Sequence, residues 1–164
     1  MELDRALEWL QATPVAKAIS ENEILFPWIE SVHVLAIVLV VGTISIVDLR
    51  LLGVASLDRA AGRLMRDVLP CTWGAFLVAA VSGGLLFSSD AKIYAHNFFF
   101  QGKLMLLGAA GLNMAFFHLI GIGDVEQWGP TRRTPLAAKT AGAISLLVWV
   151  AVVAFGRWIG FTVR

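Results

Sequence analysis

Five ionisable side chains stand inside otherwise apolar stretches of this chain: Glu30, His33 and Asp48 in one stretch, Lys103 and His118 in a later one. Charge is costly at membrane depth, so each of these residues is a functional-site hypothesis by default. The chemistry open to them is narrow. Neutral imidazole is the usual axial ligand of haem in helical bundles, and imidazole with thioether suits copper. A carboxylate facing an ammonium or imidazole gives an intramembrane pair that fixes helix register.

Helical spacing sorts these options. At about 100° per residue, Ile37, Val41 and Ile44 fall within roughly 40° of the line shared by Glu30 and Asp48, with His33 about 60° to one side. That face is expected to look into the protein. Lys103, Ala110, Met114 and His118 share a broad face of the later stretch, with Asn113 at its edge. At a rise of about 1.5 Å per residue, Glu30 and Lys103 both lie roughly 9 Å below one membrane surface and His33 roughly 13 Å below it. Glu30 is therefore expected to pair with Lys103, and Asp48 with His118 near the opposite surface.

A b-type haem is the first cofactor reading, with His33 as ligand and Met105 or His118 as its partner. His118 lies roughly 17 Å from His33 along the membrane normal, which disfavours bis-His ligation between them. Met105 is near the depth of His33. A copper site of His33, His96 and Met105 is the second reading, though no local motif joins the three. Glu30 and His33 also form a Glu-x-x-His, but the further carboxylates of a di-iron bundle are missing from the apolar stretches. Gly121-Ile122-Gly123 lacks the third glycine of a dinucleotide loop and reads as a helix stop. No Ser-His-Asp or Cys-His set is arranged for nucleophilic catalysis, so no catalytic residue is assigned.

These residues have to be positioned by membrane helices. Between 34 and 47 only Thr43 and Ser45 are polar, too few for the wet face of a soluble helix. Four apolar spans are expected at about 24–52, 68–88, 97–122 and 136–161, as an all-α integral membrane four-helix bundle and a single transmembrane domain over 1–164. Residues 1–20 read as amphipathic helical pieces broken at Thr13-Pro14. They either lie in the interface with Trp9 at headgroup level or cap the mouth of the bundle.

Composition agrees with this reading. The chain has 164 residues, 58% of them hydrophobic and 15% charged, with mean hydropathy +0.76, whereas a soluble domain is roughly 25% charged. A net charge of +1 argues against a nucleic-acid partner. A single cysteine, Cys71, excludes an internal disulfide and a Cys-rich metal site. The acidic N-terminus lacks the basic and apolar regions of a cleavable signal peptide. Small residues recur at i+4 (Ala75, Ala79, Gly83; Gly111, Ala115; Ala137, Ala141, Ser145) and are expected to face neighbouring helices, within the bundle, in a homo-oligomer or in a larger membrane complex.

The connections after the first and third spans carry Arg50, Arg59, Arg63, Arg66, Arg132, Arg133 and Lys139. The other side carries Arg5, Lys17, Lys92 and Arg164, leaving out the embedded Lys103 and Arg157, which can snorkel to the interface. Seven against four places both connections in the cytoplasm and both termini outside.

Two segments, HVLAIVLVVGTISIVDLRLLG over 33–53 and FFQGKLMLLGAAGLNMAFFH over 99–118, resemble a family of bacterial inner-membrane proteins known as a domain of unknown function. More loosely, the His-led first span and the Lys103 span are similar to the membrane domain of copper-resistance D-type proteins, which carry additional helices. The resemblance implies fold and location and supplies no activity. The expected function is a small non-catalytic inner-membrane component, an accessory subunit or a redox- or metal-handling module, with a polar intramembrane site. The alternative is a cytochrome-like electron carrier using His33.

Overall fold

The computed structural model describes residues 2–56, 58, 60–119 and 134–163. Among the described residues seven helices follow in order: α1 (Glu2–Gln11), α2 (Pro14–Glu21), α3 (Leu25–Leu52), α4 (Ala61–Ser89), α5 (Ala91–His96), α6 (Phe98–Leu119) and α7 (Leu136–Thr162). No strand occurs among the described residues. Helices α3, α4, α6 and α7 are each long and apolar enough to cross a membrane, so this is a multi-pass membrane protein with an all-α bundle fold.

Local sequence explains the helix boundaries. Thr13 caps α2 by accepting from the Ala16 amide at 3.3 Å, with Pro14 in the first turn, where a missing N–H costs nothing. The Asn22 side-chain oxygen accepts from the amides of Ile24 and Leu25 and starts α3. Asn97 does the same for α6 through Phe99 and Phe100. Gly53 ends α3 in the left-handed region, φ 80°, with its N–H bonded to the Arg50 carbonyl.

One boundary and one short helix differ from the sequence expectation. Helix α4 starts at Ala61 rather than near 68, so Arg63, Arg66 and Asp67 sit on the helix and Pro70 lies inside it. The added turns are held by Ala61, Gly62 and Leu64, all buried. Ala61 packs with Leu51 and Ala138 in one cluster where α3, α4 and α7 meet. The short helix α5 has no periodic signal in the sequence. The expected end of the third span at 122, the Gly121-Ile122-Gly123 stop, and Arg59, Arg132, Arg133 and Arg164 lie outside the described residues.

Packing is unequal around the bundle. Helix α3 packs along both α4 and α7, and α7 packs along α6, while α6 does not pack along α3 and meets α4 through the stacked rings of Phe87 and Phe100, 5.2 Å apart at the end where α4 finishes. The four long helices therefore run in the order α4–α3–α7–α6, and beyond the Phe87–Phe100 stack a gap separates the outer pair. The polar ties follow this order. Thr72 donates to Thr43 at 2.8 Å between α4 and α3, and the Asn113 amide donates to the Ala141 carbonyl at 3.0 Å between α6 and α7.

Helices α1 and α2 cap the end of the bundle where α3 starts and α4 finishes, packing on α5, α4 and α3. Leu7, Ala16 and Ile19 are their buried face, and Trp9 is exposed. Lys92 of α5 reaches Glu8 of α1 at 2.6 Å, and Gln11 donates to Asp90 at 3.0 Å.

Candidate functional site

The buried face of α3 is turned from the expected one. Ala36, Val40 and Leu51 are fully packed, and with His33 and Val47 they fall within about 60° of one another at 100° per residue. This arc is centred between Val40 and Val47, with His33 at its rim, and lies about 90° from the Glu30–Asp48 line. The rotation leaves Glu30 exposed and half-buries His33, while Asp48, about 60° outside the arc, stays buried. Packing α3 simultaneously on α4 and α7 sets this angle, and no sequence period on α3 alone encodes it.

Near the end of the bundle capped by α1 and α2, His33 is seated on α4. Its Nδ1 lies 3.0 Å from the Ser82 hydroxyl, and Ser82 gives its own proton to the Val78 carbonyl at 2.6 Å. The hydroxyl oxygen therefore accepts from His33 Nδ1–H, and Nε2 keeps its lone pair. Gly83 makes room for the ring, since a Cβ there would stand 2.8 Å from His33 Cε1. This is the one member of the Ala75, Ala79, Gly83 stripe whose missing side chain is used directly. Lys103 of α6 lies against α7, its Nζ 3.6 Å from where a Cβ on Gly156 would be.

The expected pairs do not form. No ion pair joins Glu30 to Lys103, because α3 and α6 are not neighbours and Lys103 is held on the α7 side. His118 is exposed and gives its Nδ1–H to the Met114 carbonyl at 2.8 Å, while the Asp48 carboxyl is bonded by Ser145 of α7.

The expected ligand sets are not assembled either. Met105 is 70% exposed on the outer side of α6. His96 lies on α5, its Nδ1–H on the Lys92 carbonyl at 2.9 Å and its Nε2 3.9 Å from Asp4. His33 thus stands apart from Met105, His96 and His118. No cluster of three or more His, Cys, Asp or Glu suited to a metal ion occurs among the described residues.

Tyr94 of α5 is the polar residue near Glu30. Its phenol is held above the usual tyrosine range by burial, then by the nearby charges of Asp90 and Glu30. Hydropathy and helical period give no warning of this proximity, since it depends on where the short helix α5 sits between α4 and α6.

The most distinctive arrangement lies toward the other end of the bundle. A cavity of about 210 Å³ is bounded by all four long helices. Val40, Ile44 and Leu51 of α3, Trp73 and Phe76 of α4, Phe117 of α6 and Trp149 of α7 make most of its wall apolar. Asp48 and His118, the pair expected to bond, both line it without meeting. Asp48 is 5% exposed, and its Oδ2 has no hydrogen-bond partner among the described residues. An acceptor in that condition costs roughly 1–3 kcal/mol, more when charged. Asp48 was visible in the sequence as an ionisable residue in a span. The cavity was not, because it exists only where four helices fail to close.

Neither a curated protein nor a solved structure matches the chain. A family model does, over residues 15–162. That range contains α2 from its second residue, all of α3 to α7, and therefore His33, Lys103 and the whole lining of the Asp48 cavity. The chain belongs to DUF6644, a family of unknown function.

Proposed function

We propose that this protein is a small non-catalytic membrane component, an accessory subunit or a redox- or metal-handling module, whose working part is a polar intramembrane site centred on Asp48. The observation that carries this reading is the buried, half-satisfied carboxylate at the wall of a cavity that is otherwise apolar. A strut would be paired, because an unpaired buried acceptor lowers stability. A binding residue is kept in spite of that cost. The metal-handling branch of the reading draws on the likeness of the His33 and Lys103 spans to the copper-resistance D-type membrane domain.

The test is the melting temperature of Asp48→Asn and Asp48→Leu in detergent. Both variants are expected to melt at or above the parent, since each removes a buried carboxylate that is not fully bonded. A large drop in both would make Asp48 a structural residue and end this reading.

The second reading is a b-type haem on His33. The Ser82 contact favours it, because a ligating imidazole is ordinarily oriented by a partner on its other nitrogen. Such a haem would find a single histidine at this level of the bundle. An absorption spectrum of the purified protein, oxidised and then dithionite-reduced, decides it. A Soret band abolished by His33→Ala would establish the cytochrome, and a featureless visible spectrum would remove it.

In this proposal the protein sits in a bacterial inner membrane with both termini periplasmic, alone, as a homo-oligomer or within a larger membrane complex. The excess of Lys and Arg in and beside the connections after α3 and α6, on the flanking helix ends as well as between them, supports that orientation. A periplasm-active reporter fused after Arg164 is expected to be active, and activity of a cytoplasmic reporter at that position would reverse the topology.

A further inference from the structure

The gap between α4 and α6 gives the Asp48 cavity a side opening. Trp73 of α4 is 53% exposed, Phe76 38% and Met114 of α6 38%, yet all three line the cavity. Gly111 of α6 lines it too, and a Cβ on Gly111 would meet nothing within 4 Å. The mouth is therefore framed by α4 and α6, and both helices are long enough to span the hydrocarbon. A solute arriving through that mouth comes from the bilayer, not from water.

The wall restricts what such a solute can be. An apolar cavity of about 150 Å³ accepts benzene, so about 210 Å³ holds one ring with a short chain. A purely hydrocarbon guest would leave Asp48 Oδ2 as unsatisfied as before. An anion would meet the carboxylate directly. A guest with an ammonium head and an apolar body satisfies both surfaces. The ammonium donates to Oδ2, and the ring lies among Phe76, Phe117 and Trp149.

We infer that the cavity is a binding site for a small lipophilic amine, admitted from the bilayer between α4 and α6, with Asp48 as the counter-ion and Trp73, Phe76 and Met114 at the mouth. His118 lines the same cavity with its Nδ1 engaged by the Met114 carbonyl. Asn113 is tied to the Ala141 carbonyl, and Ser145 holds the Asp48 carboxyl from the α7 side. Asp48 is the acidic residue in the lining. This inference rests on Asp48 being a binding residue, as proposed above, and adds the ligand class and the route.

The experiment is ¹⁹F NMR titration of the nanodisc-embedded protein with 4-fluorophenethylamine, with 4-fluoropropylbenzene as the uncharged probe. The amine is expected to show saturable, protein-dependent line broadening, weakened at least tenfold in Asp48→Asn. The uncharged probe should partition into the bilayer without saturating. Gly111→Phe starts from a Cβ with nothing within 4 Å and places a ring at the mouth, so it should abolish broadening while the circular dichroism of the folded protein is retained.

Amine binding that is unsaturable, unchanged in Asp48→Asn, or matched by the uncharged probe overturns the inference. So does exclusion of the amine by a second copy of the chain crosslinked across α4 and α6. If Asp48→Asn melts at or above the parent and no amine binds, the ligand class fails while the Asp48 site stands. If Asp48→Asn unfolds the protein, both fail.

Discussion

Replacing Gly142 by alanine tests the packing that holds Asp48 in place. A Cβ on Gly142 of α7 would stand 3.1 Å from the Asp48 carbonyl oxygen and 3.2 Å from Leu51 Cβ. Neither obstacle is the free end of a flexible side chain. Helices α3 and α7 must separate by a few tenths of an ångström, and overpacking of this kind costs about 1–3 kcal/mol. Alanine also gains up to about 1 kcal/mol over glycine within a helix, which masks part of the loss.

Gly111→Ala is the matched control. Its new methyl meets nothing within 4 Å, so it retains the propensity gain without the clash. The difference between the two variants isolates the seam at about 1–3 kcal/mol. For a chain of this size, 1 kcal/mol corresponds to roughly 2–4 °C in melting temperature. Thermal unfolding in one detergent, followed by circular dichroism, is expected to place Gly142→Ala several degrees below Gly111→Ala. If Gly142→Ala melts at or above the control, α3 and α7 do not depend on that close approach, and the seat assigned to Asp48 is wrong.

Two further outcomes follow from the geometry. Because α3 and α6 are not in contact, Glu30→Gln and Lys103→Met should be additive within about 0.5 kcal/mol in a double-mutant cycle of thermal stability. A larger coupling would bring the two side chains together after all. The Lys92–Glu8 tie between α5 and α1 carries a pH signature. The Glu8 hydrogen bond and charge hold Lys92 above its ordinary value of 10.5, so the tie is fully present below that pH and is lost as pH rises through the higher folded value. Trp9 fluorescence on α1 should hold steady from neutral pH to about 10 and change above it, and Lys92→Ala should remove that change.

How far the sequence carried varies with the feature. Four spans were legible because the absence of polar side chains over some 20 residues is a one-dimensional property, and hydrocarbon admits little except a helix there. The caps at Thr13, Asn22, Asn97 and Gly53 were written as local residue choices next to each boundary. Pro70 misled by position, since a proline near charged residues reads as a helix start. Tertiary packing of Ala61 and Leu64 carried α4 back through Arg63 and Arg66.

The small-residue stripes were right in kind and shifted in place. On α7 the close approach to α3 falls on Ala138 and Gly142, both buried, one position beyond Ala137 and Ala141. Gly111 and Ala115 of α6 are exposed within the described residues. A helix that is apolar on every side carries no moment to fix its rotation. Neighbours set that angle instead, and for α3 they chose the His33 side over the Glu30 side.

By itself, then, the sequence determined the membrane location, the four spans and the short roster of ionisable residues within them, because each is set by composition along one segment. Only the tertiary structure decided which of those residues meet. It separated Glu30 from Lys103 and Asp48 from His118, seated His33 on Ser82, and opened the cavity in front of Asp48. The physical reason is that depth can be counted at a fixed rise per residue, whereas rotation and neighbour order come from packing among several helices at once.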